Sequence, residues 1–196
     1  MDNTFLPLIF RMKYINRWGI MFNLQKEDLM QHSLECAFIA QYLATVGNMY
    51  FGKNYNAERI AVCAMYHDIE EVLTGDLPTP IKYYNEEMKN IYKQIEVKAS
   101  EKLLDHLPKN LQGNYSAFIS GSNLTDAEQK ILKIADKLCA YIKCINELNA
   151  GNKEFQAALN RVSESINNIE SEELAYFIKN VLPEFSLSLH EIKGML

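Results

Sequence analysis

The chain has 196 residues, with 20 Lys+Arg against 25 Asp+Glu and a formal net charge of -5. It therefore lacks the broad positive field that holds a nucleic-acid polymer. Its 48% apolar and 23% charged residues exclude a disordered chain, and the scarcity of Gly (8) and Pro (5) argues against an all-β fold. The length suits one domain, residues 1–196.

At the N-terminus, the apolar run within MDNTFLPLIFRMK follows Asp2 rather than a basic region. It is too short for a signal-peptide core or a bilayer span. Cys36, Cys63, Cys139 and Cys144 sit among apolar residues without a CxxC pair, which reads as buried thiols in a reducing compartment. A soluble, cytoplasmic protein without membrane partners is expected.

Asp28 predicts the cap of a helix over 29–49, with Leu34, Ala37, Phe38, Leu43 and Val46 as its apolar positions. Asn56 predicts a second helix, AERIAVCAMYHDIEEVL, ended by Gly75, Pro78 and Pro80. A third is expected over 85–107, with Met88, Ile91, Ile95, Ala99, Leu103 and Leu107 in a 3.6-residue stripe. Pro108 to Leu124 reads as a surface loop. Thr125 and Glu128 form a capping box for a fourth helix, which runs to about Asn149 and stops at Gly151. Shorter helices follow, broken near Asn168 and at Pro183. The pattern is all-α, a packed helical bundle.

The chemistry-bearing groups fall where apolar residues dominate. His67-Asp68 lies inside Ile60–Leu73, Asp136 inside ILKIADKLCAYIKC, and His32 near the start of its helix. On a helix Glu71 shares a face with both His67 and Asp68. Buried carboxylates without partners cost several kcal/mol each, and a divalent cation held by two imidazoles and two carboxylates offsets that cost. Such an N/O set suits Mn, Co, Fe, Ni or Zn better than Mg or Ca. Against this stands the common case: a lone helical His or Asp is usually a satisfied core or surface group, and periodicity does not show that the four converge. His106 and His190, without acidic partners at ligand spacing, read as surface residues.

The pattern His32, His67-Asp68, Asp136 resembles the HD-domain metal-dependent phosphohydrolase superfamily. INRW (Ile15–Trp18), HSLE (His32–Glu35), AERIA (Ala57–Ala61), MYHD with its following glutamate (Met65–Glu71), LTGDLPTP (Leu73–Pro80) and ADKLCAYIKC (Ala135–Cys144) resemble the bacterial 5′-deoxynucleotidase family (YfbR-type) over nearly the whole chain. The INRW and LTGDLPTP strings are far more specific than a bare HD pair. The resemblance implies an HD-domain bundle that removes phosphate from 2′-deoxyribonucleoside 5′-monophosphates with little choice of base.

It further implies a homodimer with one divalent transition metal per subunit on His32, His67, Asp68 and Asp136. Co²⁺ or Mn²⁺ stands first, with Zn²⁺, Cu²⁺, Ni²⁺ or Fe²⁺ also admitted. Glu71 matches the catalytic glutamate, and Arg17 the arginine that orients the phosphate. Trp18 matches the tryptophan beside the sugar, and Asp76, Leu77, Pro78 and Thr79 the segment lining the nucleotide site. His32, Asp68 and Asp136 also reach the substrate in that pattern. A smaller residue precedes the glutamate in the family pattern. Here it is Glu70, roughly 100° round a helix from Glu71 and so expected to face solvent. Competing readings are an HD phosphohydrolase of other sugar or phosphate specificity, a non-catalytic metal- or nucleotide-binding module, and a structural helical dimer.

Overall fold

A computed structural model describes residues 3–82, 84–188 and 190–192. Its helices are α1 (Phe5–Ile9), α2 (Leu29–Tyr50), α3 (Ala57–Tyr66), α4 (Glu71–Thr74), α5 (Thr79–Lys82), α6 (Glu86–Leu104), α7 (Lys109–Ser120), α8 (Asp126–Asn149), α9 (Gln156–Asn167) and α10 (Glu172–Asn180). Short 3₁₀ turns cover Phe10–Tyr14, Lys153–Phe155 and Leu182–Ser186. Among the described residues the nearest thing to a strand is one antiparallel bridge between Asn16 and Asp28. The all-α expectation holds. Asp2, on which the N-terminal reading leans, lies outside the described residues.

The caps predicted at Asp28, Asn56 and Thr125 form, and Asn85 caps the third long helix, a cap the sequence reading did not assign. The side chains of Asp28, Asn56, Asn85 and Thr125 accept from the backbone N–H of Gln31, Arg59, Met88 and Glu128. α2 is the central helix and packs against α3, α8 and α10, while α9 lies on α8. The main core joins Cys36, Ala40, Leu43, Ile60, Leu138 and Phe177. A smaller cluster of Phe5, Met12, Leu29, Ile69, Leu103 and Leu107 lies where the N-terminal turns meet α6. All four cysteines are buried free thiols.

One polar tie sets the register that matters for the site. Glu128 is buried and serves more than its own cap. Its carboxylate accepts from Thr125 N–H at 2.9 Å and from Asn56 N–H at 2.8 Å. The starts of α3 and α8 are thereby pinned together. Each then runs about ten residues, ~15 Å, before delivering His67 and Asp136 to the same level.

Three expectations are corrected. The helix predicted over 57–73 breaks at His67: residues 67–70 form a turn with i→i+3 bonds such as Glu71 N–H to Asp68 O at 3.2 Å, and α4 follows. Apolar periodicity continues through the break, so a pattern of side chains cannot reveal it. Second, Pro108–Leu124 is mostly helix α7 rather than loop. Its N-cap is Pro108, without a side-chain bond, and Gly113 weakens its propensity, but its half-buried Tyr115, Phe118 and Ile119 pack inward. Third, Ile91 and Ile95 of the α6 stripe stay more than 40% exposed while Tyr92 is buried. α6 packs against α7 and the short helices α1, α4 and α5.

Candidate active site

α2, the turn after α3, and α8 aim four side chains at one point. His32 lies one turn into α2, its N–H bonded to Asp28 O. Its Nε2 is 3.3 Å from His67 Nε2, 3.6 Å from Asp68 Oδ2 and 3.3 Å from Asp136 Oδ1. His67 Nε2 is 3.2 Å from Asp68 Oδ2 and 3.9 Å from Asp136 Oδ1. His32 is fully buried, whereas the Asp136 side chain keeps 42% exposure, opening one side to solvent.

This donor set fits a divalent metal. Ligand atoms about 2.1 Å from a shared ion lie roughly 3.0–3.4 Å apart; three of the five separations, at 3.2–3.3 Å, match this, and those at 3.6 and 3.9 Å must close slightly around an ion. The His67 Nδ1 faces Ala64 O at 2.7 Å, so that nitrogen carries the hydrogen and Nε2 keeps its lone pair for a ligand bond. The His32 Nδ1 is buried without a hydrogen-bond partner, with Glu27 Oε1 3.7 Å away. Without a cation the cluster balances itself with protons. Burial opposes charge on both imidazoles, yet the two carboxylates raise His32 well above its usual range and His67 to about 10. Against the same burial, the imidazoles hold Asp68 and Asp136 well below the carboxylate range.

Arg17 closes one side. Its Nη1 donates to Asp68 Oδ2 at 3.3 Å and its Nε to Glu27 Oε1 at 2.9 Å. Glu71 is 4% exposed, and its Oε2 is buried without a partner. Burial, reinforced by Asp68 and Asp76, pushes its carboxyl well above the usual range. Glu70 does not face solvent as expected. It is 8% exposed, and burial with Asp68 and Glu96 nearby pushes it up to about 7. The 100° offset applies to a continuous helix, and the break at 67–70 removes that helix.

A cleft of about 440 Å³ runs out from this cluster. Arg17, Trp18, Asp76, Pro78, Thr79 and Asp136 line it; Leu77 does not. Trp18 adopts a left-handed backbone, φ 58°, which strains a bulky residue. The loop over-determines it: Met21 N–H and Asn23 Nδ2 donate to Trp18 O at 2.9 and 3.1 Å, and its ring meets Phe155 at 5.3 Å. Gly75, at φ 74° and ψ 164°, ends α4 in a region open essentially to glycine alone and turns Asp76 into the cleft.

The model of the YfbR-like 5′-deoxynucleotidase family matches residues 4–185. The chain belongs to this family. It is 49% identical over 188 residues to a 5′-deoxynucleotidase of Photorhabdus laumondii, covering 96% of this chain and 95% of that one. It is 47% identical over 191 residues to the 5′-deoxynucleotidase YfbR of Escherichia coli O1:K1, covering 97% and 96%. Among solved structures, an HD-domain phosphohydrolase from Listeria innocua superposes with a TM-score of 0.82 at 24% identity, over 93% of this chain and 88% of that one. A cyanophage S-2L HD phosphohydrolase, bound to dA and one catalytic Zn²⁺ ion, gives 0.65 at 16%, over 91% and 96%. These two likenesses concern the fold.

For this family member, the structure also brings forward residues the sequence reading passed over. The α9 wall of the cleft carries Ala158, Arg161 and Val162, and α8 adds Lys137, whose Nζ donates to Ser165. No local motif marks them, although Lys137 follows Asp136 directly. Glu27 was also passed over; its only signal is its place before the Asp28 cap. His106 is half-buried and bonded to Thr4, away from the cluster, and His190 is exposed as expected.

Proposed function

We propose that this 5′-deoxynucleotidase family member hydrolyses 2′-deoxyribonucleoside 5′-monophosphates to deoxynucleoside and phosphate, with its metal on His32, His67, Asp68 and Asp136. The activity follows from family membership. The residue roles rest on one observation: two imidazole nitrogens and two carboxylate oxygens converge, with Arg17 beside them, at the head of a nucleotide-sized cleft. A divalent transition metal bound there supplies a water acidified toward neutral pH and a Lewis acid for a phosphoryl oxygen. The N/O donor set supports a transition metal over Mg²⁺ or Ca²⁺; the family resemblance puts Co²⁺ or Mn²⁺ first, with Zn²⁺, Cu²⁺, Ni²⁺ or Fe²⁺ as competitors.

Arg17 grips the phosphate. Its Nε is anchored on Glu27, so its Nη groups are free to turn from Asp68 to two phosphate oxygens and fix the in-line geometry. Glu71, whose Oε2 is unpartnered, is the general acid/base: protonated it passes a proton to the departing 5′-oxygen, and ionised it takes one from the attacking water. Asp76 accepts from the sugar 3′-hydroxyl. The Trp18 ring abuts C2′ and leaves a 2′-hydroxyl without space or partner. Pro78, Thr79 and the Ala158–Val162 wall contact the base through largely apolar surface, in keeping with little choice of base.

The chain works in this reading as one unit, 1–196, in the cytoplasm and as a homodimer. Four buried free thiols support a reducing compartment, and no helix among the described residues is long and apolar enough to cross a membrane. The outward side of α2, with Leu34, Phe38, Tyr42 and Met49 at 40–74% exposure, supports a second copy. Light scattering at twice the chain mass is the expected result.

The test is metal content and phosphate release on metal-stripped protein reloaded with each ion in turn. One equivalent of transition metal per chain, with release only in its presence, is expected. Metal-independent release contradicts the assignment.

A further inference from the structure

We propose that Glu27 is a positioning residue that holds the phosphate-gripping arginine and the metal-ligating histidine in one frame. The proposal rests on the roles given above to Arg17 and His32. Glu27 is 6% exposed, and a buried carboxylate needs charged or donor partners. One of its oxygens serves two groups: Oε1 accepts from Arg17 Nε at 2.9 Å and lies 3.7 Å from His32 Nδ1. That histidine nitrogen makes no hydrogen bond, and Glu27 supplies the carboxylate beside it, whereas its counterpart on His67 is held by Ala64 O. Glu27 thus places a negative charge on the Nδ1 side of His32, which favours the hydrogen on Nδ1 and leaves Nε2 to face the metal.

The backbone makes the frame rigid. Arg17 N–H donates to Glu27 O at 2.9 Å and Leu29 N–H to Ile15 O at 3.0 Å. The strand-like pair Ile15–Arg17 and Glu27–Leu29 therefore leads straight into α2, which carries His32. Without the Glu27 carboxylate, the Arg17 guanidinium has Asp68 as its remaining near anion, 3.3 Å away. It would then collapse onto a metal ligand and compete with both metal and phosphate.

The experiment uses the full chain, stripped of metal, as wild type, Glu27→Gln, Glu27→Ala and the control Asp28→Ala, which removes only the α2 cap. Mn²⁺ affinity is read by calorimetry. KM and kcat for dAMP, and binding of inorganic phosphate, are read at saturating Mn²⁺. Glu27→Ala is expected to weaken Mn²⁺ binding by about tenfold or more and to raise KM similarly. The Glu27→Gln amide oxygen still accepts from Arg17 and still faces His32 Nδ1, so KM and Mn²⁺ affinity both stay closer to wild type than in Glu27→Ala. Asp28→Ala is expected to lower only the melting temperature. Wild-type Mn²⁺ affinity and KM in Glu27→Ala, with a melting loss like that of Asp28→Ala, would overturn the proposal and leave Glu27 a loop clasp. If wild type binds Mn²⁺ but does not turn over dAMP, the activity reading fails instead, and the Mn²⁺ and phosphate measurements decide the role of Glu27.

Discussion

Glu71 follows Asp68 by one tight turn, its N–H bonded to the Asp68 carbonyl at 3.2 Å. In a three-residue turn, positions i and i+3 nearly eclipse, so the break after α3 keeps the Glu71 carboxyl on the side of Asp68. The same break buries Glu70.

Glu71 should therefore be separable from the metal. Glu71→Gln is expected to lower kcat on dAMP by about 10²–10⁴. Mn²⁺ stoichiometry and the melting temperature should stay near wild type, because the substitution gives its buried, unpartnered oxygen no new charge to bury. A matching loss of metal in calorimetry would make Glu71 a ligand instead.

Metal should stabilise the fold, since its proposed ligands come from α2, the turn after α3, and α8. Mn²⁺ at a hundred times its dissociation constant is expected to add about 2.7 kcal/mol. Scanning calorimetry of stripped protein with and without Mn²⁺ checks this. Asp136→Ala should abolish most of the increment, because a donor within 3.3 Å of His32 Nε2 is gone.

Acid should weaken the loop that carries Trp18. Glu147 is fully buried and accepts from Leu24 N–H, Gln25 N–H, Lys143 and Asn152. Burial alone would raise its pKa, but these donors hold it down at about 2, against 4.5 ordinarily. A depressed folded pKa means that its stabilisation is complete above about pH 4.5 and is lost as pH falls toward 2. Urea midpoints from pH 6 to pH 3 should fall in wild type. They should fall less steeply in Glu147→Gln, which starts lower.

Trp18 offers a test of strain against specificity. Trp18→Gly relieves a left-handed backbone that costs of order 1–3 kcal/mol, offsetting lost ring contacts with Phe155. Stability should therefore change little while the preference for dAMP over AMP falls. Undiminished discrimination in the kcat/KM ratio would place the sugar selectivity elsewhere.

Much of this was legible in the sequence where local chemistry decides structure. Asp28, Asn56 and the Thr125–Glu128 box mark helix starts because their oxygens satisfy the first free N–H groups. His32, His67, Asp68 and Asp136 stood out because polar groups in apolar runs need a partner. Their convergence was not legible, since it depends on the Glu128–Asn56 tie between chain segments 72 residues apart. Helix α7 was hidden because packing of Tyr115 and Phe118, rather than a cap, sustains it. Glu27, Lys137 and Arg161 act through partners distant in the chain, and no residue spacing marks them.

The most direct test of the account is phosphate release from matched dNMP and NMP panels by stripped protein reloaded with Mn²⁺ or Co²⁺, with Glu71→Ala alongside. The account predicts metal-dependent release from every dNMP, weak release from NMPs and near-complete loss in the variant. Release that persists in Glu71→Ala, or that ignores the sugar, would contradict the roles given to Glu71 and Trp18.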